Sequence, residues 1–298
     1  MRSALPFFCR KISIHNKKGL AEKGPLILAV NHPNSFLDAI LLGDFMENPT
    51  WFITRGDVFA PWAKRLLHRL KMIPIFRMRD GKDKLALNQQ TFDATQKILA
   101  DNGIVLVFVE GFCKYQTELQ LPLKKGAPRM LVDCWAKNID AKILPVWLRY
   151  DSFHDFGKII DINLGKAFGQ KMFDKNLTDA QLMTHINKAT ETQLLALSAL
   201  PKPYTSQKNS WKNLLWPFAT LALVLNAPFY FPIKTYIIKA IKGNEHYDSI
   251  LAVSLIVLYP FYLLLLSVVL FFISHTYFSF LLTPVLLILD RLHLIWKK

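Results

Sequence analysis

Short apolar runs alternate with longer amphipathic stretches over the first two thirds of the chain. Four runs rich in β-branched residues predict buried strands, at positions 26–30, 73–76, 104–109 and 143–148. Stretches with helical periodicity follow or separate them, at 39–45, 62–71, 85–101, 127–137 and 178–200. This alternation predicts an α/β domain over residues 1–200, with a mixed, mostly parallel sheet flanked by helices.

Two parts of this domain have weaker patterns. Residues 151–169, centred on Ile159-Ile160-Asp161-Ile162, predict a hairpin-like pair of edge strands. Near the amino terminus, Leu5-Pro6-Phe7-Phe8 is flanked by basic residues. That segment fits either a membrane-surface element or a helix packed on the sheet.

The last third of the chain is different in kind. A Pro-containing polar linker at 201–210 leads into a region, 211–298, with three hydrophobic segments. The segments at 250–274 and 278–296 are long enough to cross a bilayer and predict a transmembrane hairpin. The segment at 213–232 is interrupted by Asn226-Ala227-Pro228, which predicts a turn, so we expect it to be re-entrant or interfacial. Buried helices of a soluble core are the poorer alternative at these lengths.

Charge narrows the class of partner. The 298 residues carry a formal net charge of +15, and most of the basic residues precede Trp211. Such a domain favours anionic partners, either nucleic acid or an anionic bilayer with phosphorylated substrates. The basic residues are scattered and the chain has membrane-length apolar segments, so we expect no nucleic-acid partner. The three cysteines show no metal-ligand spacing, so we expect no metal site.

The amino terminus has no recognisable secretory signal. We therefore expect the α/β domain to lie on the cytoplasmic face of the inner membrane, held by the carboxyl-terminal hairpin.

The strongest chemical signal is the octapeptide Asn31-His32-Pro33-Asn34-Ser35-Phe36-Leu37-Asp38, which joins a predicted strand to a predicted helix. Such junctions place side chains in a crevice at the carboxyl edge of a sheet. An aspartate bonded to one imidazole nitrogen fixes the tautomer, so that the other nitrogen can take a proton from a hydroxyl. His32 is thus a candidate general base and Asp38 its orienting partner. The alternative is that Asp38 only caps the helix and His32 is an ordinary loop residue.

Polar residues also follow the other predicted strands. Glu110 and Gly111 end the third strand, where the carboxylate could instead bond loop amides. Arg77 directly ends the second strand, and a guanidinium fork matches a phosphate. Lys124 and Arg129 belong to a second basic group, for which a plain solvated surface is the alternative. Cys113 has no suitably spaced partner motif, and we do not interpret it as a nucleophile.

The octapeptide resembles the His-Asp signature of the glycerolipid acyltransferases, a family that includes lysophosphatidate and glycerol-3-phosphate acyltransferases. Most members have four residues between the His and the Asp. The five residues seen here resemble one subgroup, the glycerol-3-phosphate/dihydroxyacetone-phosphate type. Further blocks follow in the family's order, namely Ile73-Pro74-Ile75-Phe76-Arg77, Val107-Phe108-Val109-Glu110-Gly111, Leu123-Lys124-Lys125-Gly126-Ala127-Pro128-Arg129 and Ile143-Leu144-Pro145-Val146. Val109 stands where the family usually has proline.

The resemblance implies a membrane-bound O-acyltransferase. The donor would be an acyl thioester on coenzyme A or acyl carrier protein, and the acceptor would be glycerol-3-phosphate or a lysophospholipid. The thioester is a co-substrate, and the resemblance implies no cofactor. It implies catalytic roles for His32 and Asp38, and acceptor or phosphate binding by Arg77, Glu110, Gly111, Lys124 and Arg129. Two rivals remain at this stage: an acyl hydrolase or transacylase using the same pair, and a non-catalytic lipid-binding membrane protein.

Overall fold

The first two thirds of the chain are built around one sheet. The structure, a computed structural model, describes residues 8–77, 80–202, 214–241 and 244–296. Its sheet contains β1 (Cys9–His15), β2 (Leu26–Val30), β3 (Thr50–Arg55), β4 (Met72–Ile75), β5 (Ile104–Phe108), β6 (Lys142–Tyr150) and β7 (Lys158–Leu164). The strand order is β1-β7-β6-β2-β5-β3-β4. Strands β2 to β6 run parallel, β7 is antiparallel to β6, and β1 is parallel to β7. The predicted mixed, mostly parallel sheet is confirmed.

Helices cover both faces of this sheet. They are α1 (Ser35–Phe45), α2 (Lys64–Arg69), α3 (Lys82–Ala86), α4 (Asn88–Ala100), α5 (Gly126–Trp135) and α6 (Asp179–Ser198). The residues of β2 are all buried, alternately toward a core with α1 and toward a second core with α4, α5 and α6. A strand covered on both faces must be apolar at every position, which is why this run was detectable in the sequence.

The α/β domain differs from the sequence-based expectations at several points. The sequence did not predict β1 and β3, whose side chains are mostly half-buried and include Arg10, Lys11 and Arg55. Strand β7 is not an edge strand, because β1 pairs with its outer side. The expected helix at 62–71 is shortened to α2 by turn residues at its start and by the beginning of β4.

The carboxyl-terminal third forms the helices α7 (Trp216–Ile241), α8 (Tyr247–Ser274) and α9 (Leu282–Trp296). By length and composition, three helical segments are long and apolar enough to cross a membrane: Trp216–Ile241, Tyr247–Ser274 and Tyr277–Trp296. Most of the expected linker, at 203–210, and the adjoining residues 211–213 lie outside the described residues. Residues 242–243 and 297–298 also lie outside the described residues.

The predicted turn at Asn226-Ala227-Pro228 is wrong, since α7 continues through it. A proline withdraws one main-chain donor from a helix and disturbs the preceding turn. Here side chains bind carbonyls of that turn. The Asn226 amide donates to the Ala222 carbonyl at 2.9 Å, and the Tyr262 hydroxyl donates to the Leu225 carbonyl at 2.5 Å.

The carboxyl-terminal helices share a core with the α/β domain. Ile237 of α7 and Leu251 of α8 are buried in the same cluster as Leu28 and Val30 of β2. Beyond this junction, an apolar cavity of about 690 Å³ is lined by residues of α7, α8 and α9 together with Phe8 and Phe156.

Candidate active site

His32 and Asp38, predicted as a pair, are in contact. His32 follows β2 and Asp38 lies in the first turn of α1, with His32 Nδ1 2.9 Å from Asp38 Oδ2. The Asp38 side chain is fully buried, whereas that of His32 is 17% exposed. A carboxylate at this position favours the tautomer with the proton on Nδ1, in which Nε2 is the proton acceptor.

Two further donors fix the Asp38 carboxylate. The Asn34 main-chain N–H donates to Oδ2 at 2.8 Å, and the Tyr150 hydroxyl donates to Oδ1 at 2.6 Å. Burial, together with the nearby Asp38 charge, raises the pKa of Tyr150 well above its usual value. Tyr150 therefore stays neutral and remains a hydrogen-bond donor. Sequence reasoning missed it, because it lies at the end of β6, more than a hundred positions from Asp38.

The plane of the imidazole is also set by an aromatic neighbour. Phe108, at the end of β5, stacks on His32 with ring centroids 3.7 Å apart and planes within 10°. The ring can therefore turn little without losing this contact, and Asp38 then selects which nitrogen faces the carboxylate.

Glu110 braces the loops around the pair. Its two carboxylate oxygens accept the main-chain N–H groups of His32 at 2.6 Å and Gln120 at 2.8 Å. Burial raises the pKa of Glu110, and the two N–H donors act in the opposite direction. Gly111 has a φ of +73°, and a Cβ there would lie 2.6 Å from the Lys124 side chain. Glu110 thus contacts main-chain N–H groups, and Gly111 lies against the Lys124 side chain. Acceptor binding by these two residues stays a prediction.

Arg77 lies with acidic partners beyond β4. Its N–H donates to Asp80 Oδ2 at 2.7 Å, and its guanidinium lies 3.4 Å from Asp80 Oδ1 and 3.8 Å from Asp57 Oδ2. Asp57 also binds Arg55, and this hydrogen bond lowers the pKa of Asp57. The ends of β3 and β4 thus present two guanidinium groups. Sequence analysis missed Arg55 along with its strand, although Arg55-Gly56-Asp57 after Trp51-Phe52-Ile53 was a usable signal.

The remaining predicted basic residues lie around the start of α5. Lys124 is exposed, and its N–H donates to the Val109 carbonyl at 2.8 Å. The Arg129 guanidinium lies over the Phe92 ring at 4.2 Å and donates to Gln89 at 3.1 Å. Arg129 is therefore placed against α4, whereas His32 contacts α1 and β5.

The beginning of α8 also reaches this site, which the sequence gave no reason to expect. Ser35 Oγ lies 2.6 Å from His246 Nδ1, and Ser249 and Asp248 contact the same loop. Cys113 Sγ accepts the Ser35 N–H at 3.0 Å. Burial raises the pKa of Cys113 to about 12, so that the thiol, which is a poor nucleophile, predominates. Across the described ranges, no group of three His, Cys, Asp or Glu side chains is placed to hold a metal ion.

Residues 11–149 match the model of the acyltransferase family. This range contains all the predicted site residues and strands β2 to β5. Over this range the α/β domain is similar to the acyltransferase family. The protein is therefore an enzyme that transfers acyl groups, while the helices α7 to α9 and the Tyr150 hydroxyl lie beyond the matched range.

One solved structure that aligns with the chain is the crystal structure of the 1-acyl-sn-glycerophosphate (LPA) acyltransferase PlsC from Thermotoga maritima. The alignment has a TM-score of 0.46 and 13% sequence identity, and it covers 67% of this chain and 77% of that chain. No curated protein matches the chain in sequence.

Proposed function

We propose that the protein is a membrane-bound O-acyltransferase that moves a fatty acyl group from a thioester to the hydroxyl of glycerol-3-phosphate or a lysophospholipid. The observation that carries this proposal is the His32–Asp38 contact inside an acyltransferase domain. A carboxylate 2.9 Å from Nδ1 supports the proposal, because it favours the tautomer with the proton on Nδ1, which a general base acting through Nε2 requires.

In this mechanism His32 Nε2 takes the proton of the acceptor hydroxyl as its oxygen attacks the thioester carbonyl. The buried Asp38 stabilises the imidazolium that forms. The tetrahedral oxyanion needs hydrogen-bond donors, for which main-chain N–H groups at the strand ends are the candidates. The intermediate then collapses: the C–S bond breaks, the new C–O ester bond remains, and the departing thiolate takes the proton from His32.

The acceptor phosphate is assigned to the guanidinium groups of Arg77 and Arg55. Asp57 and Asp80 hold these side chains at the carboxyl edge of the sheet, the edge that also carries His32. A planar fork held in advance loses little conformational entropy when it binds a phosphate. Coenzyme A or acyl carrier protein would deliver the acyl group as a thioester.

The membrane supplies the context for these substrates. The three apolar helices and the basic α/β domain favour attachment to an anionic bilayer, with the domain on the cytoplasmic face. An acceptor or product with an acyl chain would then be exchanged with the lipid surface to which the domain is held.

The test is an assay of the purified full-length protein in lipid vesicles with labelled acyl-coenzyme A and acyl-carrier-protein donors. Each donor is offered with water alone, glycerol-3-phosphate, lysophosphatidate and an uncharged monoacylglycerol. We expect a labelled ester that forms only with a phosphorylated acceptor. Release of free fatty acid without acceptor would identify a hydrolase instead, and the absence of turnover with any donor would favour the non-catalytic lipid-binding alternative.

A further inference from the structure

We propose that Asp248 and Ser249, at the beginning of α8, are positioning residues for the catalytic loop at 31–38. The inference rests on the proposed acyl transfer through His32. It adds that the loop is held in its working geometry by the carboxyl-terminal helices, outside the matched acyltransferase range.

Asn34 is the residue that these side chains hold. Its side-chain amide donates to Asp248 Oδ2 at 2.5 Å, and its main-chain carbonyl accepts a hydrogen bond from the Ser249 hydroxyl at 2.8 Å. Ser249 Oγ also accepts the Leu37 N–H at 3.0 Å. Asn34, Asp248 and Ser249 are each at most 1% exposed. Water therefore offers no substitute partner if one of these contacts is lost.

Asn34 in turn contacts the catalytic pair. Its N–H donates to Asp38 Oδ2 at 2.8 Å, and the same oxygen lies 2.9 Å from His32 Nδ1. Two hydrogen bonds thus link Asp248 to the carboxylate that orients the base. A shift of Asn34 must displace Asp38 Oδ2 or break its hydrogen bond.

The next residue of the loop explains why outside support is needed. Ser35 is not glycine, yet it has a φ of +47°, a left-handed conformation that L-residues rarely adopt. Such strain persists only where surrounding contacts impose it. Ser35 is held by the Cys113 thiol on one side and His246 on the other.

The start of α8 is itself fixed by a buried ion pair. The Lys158 ammonium, at the first residue of β7, binds Asp248 Oδ2, and both side chains are almost fully buried. The Tyr115 hydroxyl accepts the Asp248 N–H at 2.9 Å. A buried ion pair contributes little net stability but defines position, because any displacement leaves a charge unpaired. Lys158 and Tyr115 therefore set where α8 meets the loop.

The primary test replaces Asp248 with Ala in the full-length protein. We expect kcat for acyl transfer to fall about 10²-fold, the effect of a small misplacement of catalytic groups, while both KM values stay unchanged. Asp248→Asn keeps an oxygen acceptor for Asn34 and should retain most of the kcat. The matched control is Asp161→Ala, which removes an equally buried carboxylate that binds Arg149 and Asn163. It should lower thermal stability without lowering kcat per folded enzyme.

A double-mutant cycle separates positioning from simple structural support. If Asp248 acts through Asn34, Asp248→Ala should cause no further loss of kcat in an Asn34→Ala background. Losses that multiply would overturn the proposal, as would a fully active Asp248→Ala enzyme. Should Asp248→Ala fail to fold, Ser249→Ala is measured by itself, since its hydroxyl binds the main-chain carbonyl of Asn34 and the Leu37 N–H. Its kcat should fall with unchanged KM values, and an unchanged kcat would overturn the proposal. Activity that survives His32→Ala would instead overturn the proposed function, so the two failures are distinguishable.

Discussion

The orientation of the His32 imidazole depends on neighbours of three kinds. Asp38 fixes which nitrogen carries the proton, Phe108 fixes the ring plane, and Glu110 holds the main chain of His32 itself. A general base contributes only while its acceptor nitrogen faces the hydroxyl proton. The supporting residues should therefore affect turnover more than substrate affinity.

Tyr150→Phe tests this support at one atom. The variant keeps the ring, which packs 5.7 Å from Phe153, but removes the hydroxyl that donates to Asp38 Oδ1. A buried carboxylate oxygen without its donor should cost about 1–3 kcal/mol of unfolding free energy and leave Asp38 less well fixed. We expect a lower melting temperature and a lower kcat with unchanged KM values, by thermal unfolding and steady-state kinetics. Tyr236→Phe, whose side chain is exposed, is the control; equal effects of both changes would contradict the assignment.

The arginine pair gives a separable prediction about binding. Arg77→Ala removes a charge-assisted phosphate contact of about 1.5–3 kcal/mol, so the KM of the acceptor should rise by roughly 10–100-fold. Arg77→Lys should restore only part of this loss, because an ammonium lacks the planar fork. Arg69→Ala, at the end of α2 and hence near the opposite edge of the sheet, should change nothing. A rise confined to the KM of the donor would assign Arg77 to the thioester carrier instead.

Sequence alone located the residues that are local to one motif or one strand end. His32 and Asp38 share an octapeptide, and Glu110 ends a run of buried apolar residues. Tyr150, Asp248 and Ser249 escaped because their contacts with the motif span more than a hundred positions of chain. No periodicity encodes such a contact; only the strand order and the docking of α8 bring the groups together.

Elements differ in how clearly the sequence marks them, and burial explains the difference. Strand β2 is apolar on both faces and was found with its observed bounds. Strand β1 lies at the sheet edge and carries charged residues, so its pattern is weak. Helix α7 was interpreted as broken because prolines usually end helices, but side chains from α7 and α8 bind carbonyls of the affected turn.

The junction between α1 and α8 should respond to pH through His246. Burial and the Arg55 guanidinium lower the pKa of His246 below its ordinary 6.5, with His32 acting in the same direction and Glu245 against it. The unfolded chain therefore binds a proton at His246 more readily than the folded protein does. The free energy of unfolding should fall as pH drops below 6.5. His246→Gln should remove the part of this loss of stability that comes from His246. Melting temperatures of both proteins at about pH 7.5 and about pH 5.5 measure it; identical pH dependence would contradict the linkage.

The whole molecule constrains how the helices meet a membrane. The chain leaves the α/β domain at the end of α6, where Arg149 binds the Ser198 and Leu200 carbonyls. It then passes through the polar sequence 201–213, which cannot cross hydrocarbon. Helix α7 returns its carboxyl half to the domain core through Ile237. Both ends of α7 are thus expected on the side of the domain, with α7 lying in the interface.

Helices α8 and α9 have the contacts of a hairpin. α8 leaves the domain at Asp248, Ser267 contacts Thr283 of α9, and Arg291 of α9 donates to the Cys9 carbonyl at 3.2 Å. The turn around His275 is therefore the part of the hairpin that lies farthest from the α/β domain. Lys239 and Arg291 then lie on one face, in keeping with the positive-inside rule.

Cysteine labelling in vesicles or whole cells tests this arrangement. Single cysteines replace Lys239 and His275 in a background where the native cysteines are serine, which at Cys113 keeps an acceptor for the Ser35 N–H. We expect an impermeant outside reagent to label the His275 position and to spare the Lys239 position until the membrane is opened. Outside labelling at Lys239 would show that α7 crosses the bilayer.

The central claim is that His32 is the base of an acyl transfer. The most direct measurement is the rate of ester formation by His32→Ala in lipid vesicles, beside its thermal unfolding curve. General-base catalysis usually supplies a factor of ~10²–10⁴, so kcat should fall by about this factor or more. The unfolding transition should remain cooperative, because Asp38 keeps the Asn34 and Tyr150 donors. Near-normal ester formation by a folded His32→Ala protein would contradict the account.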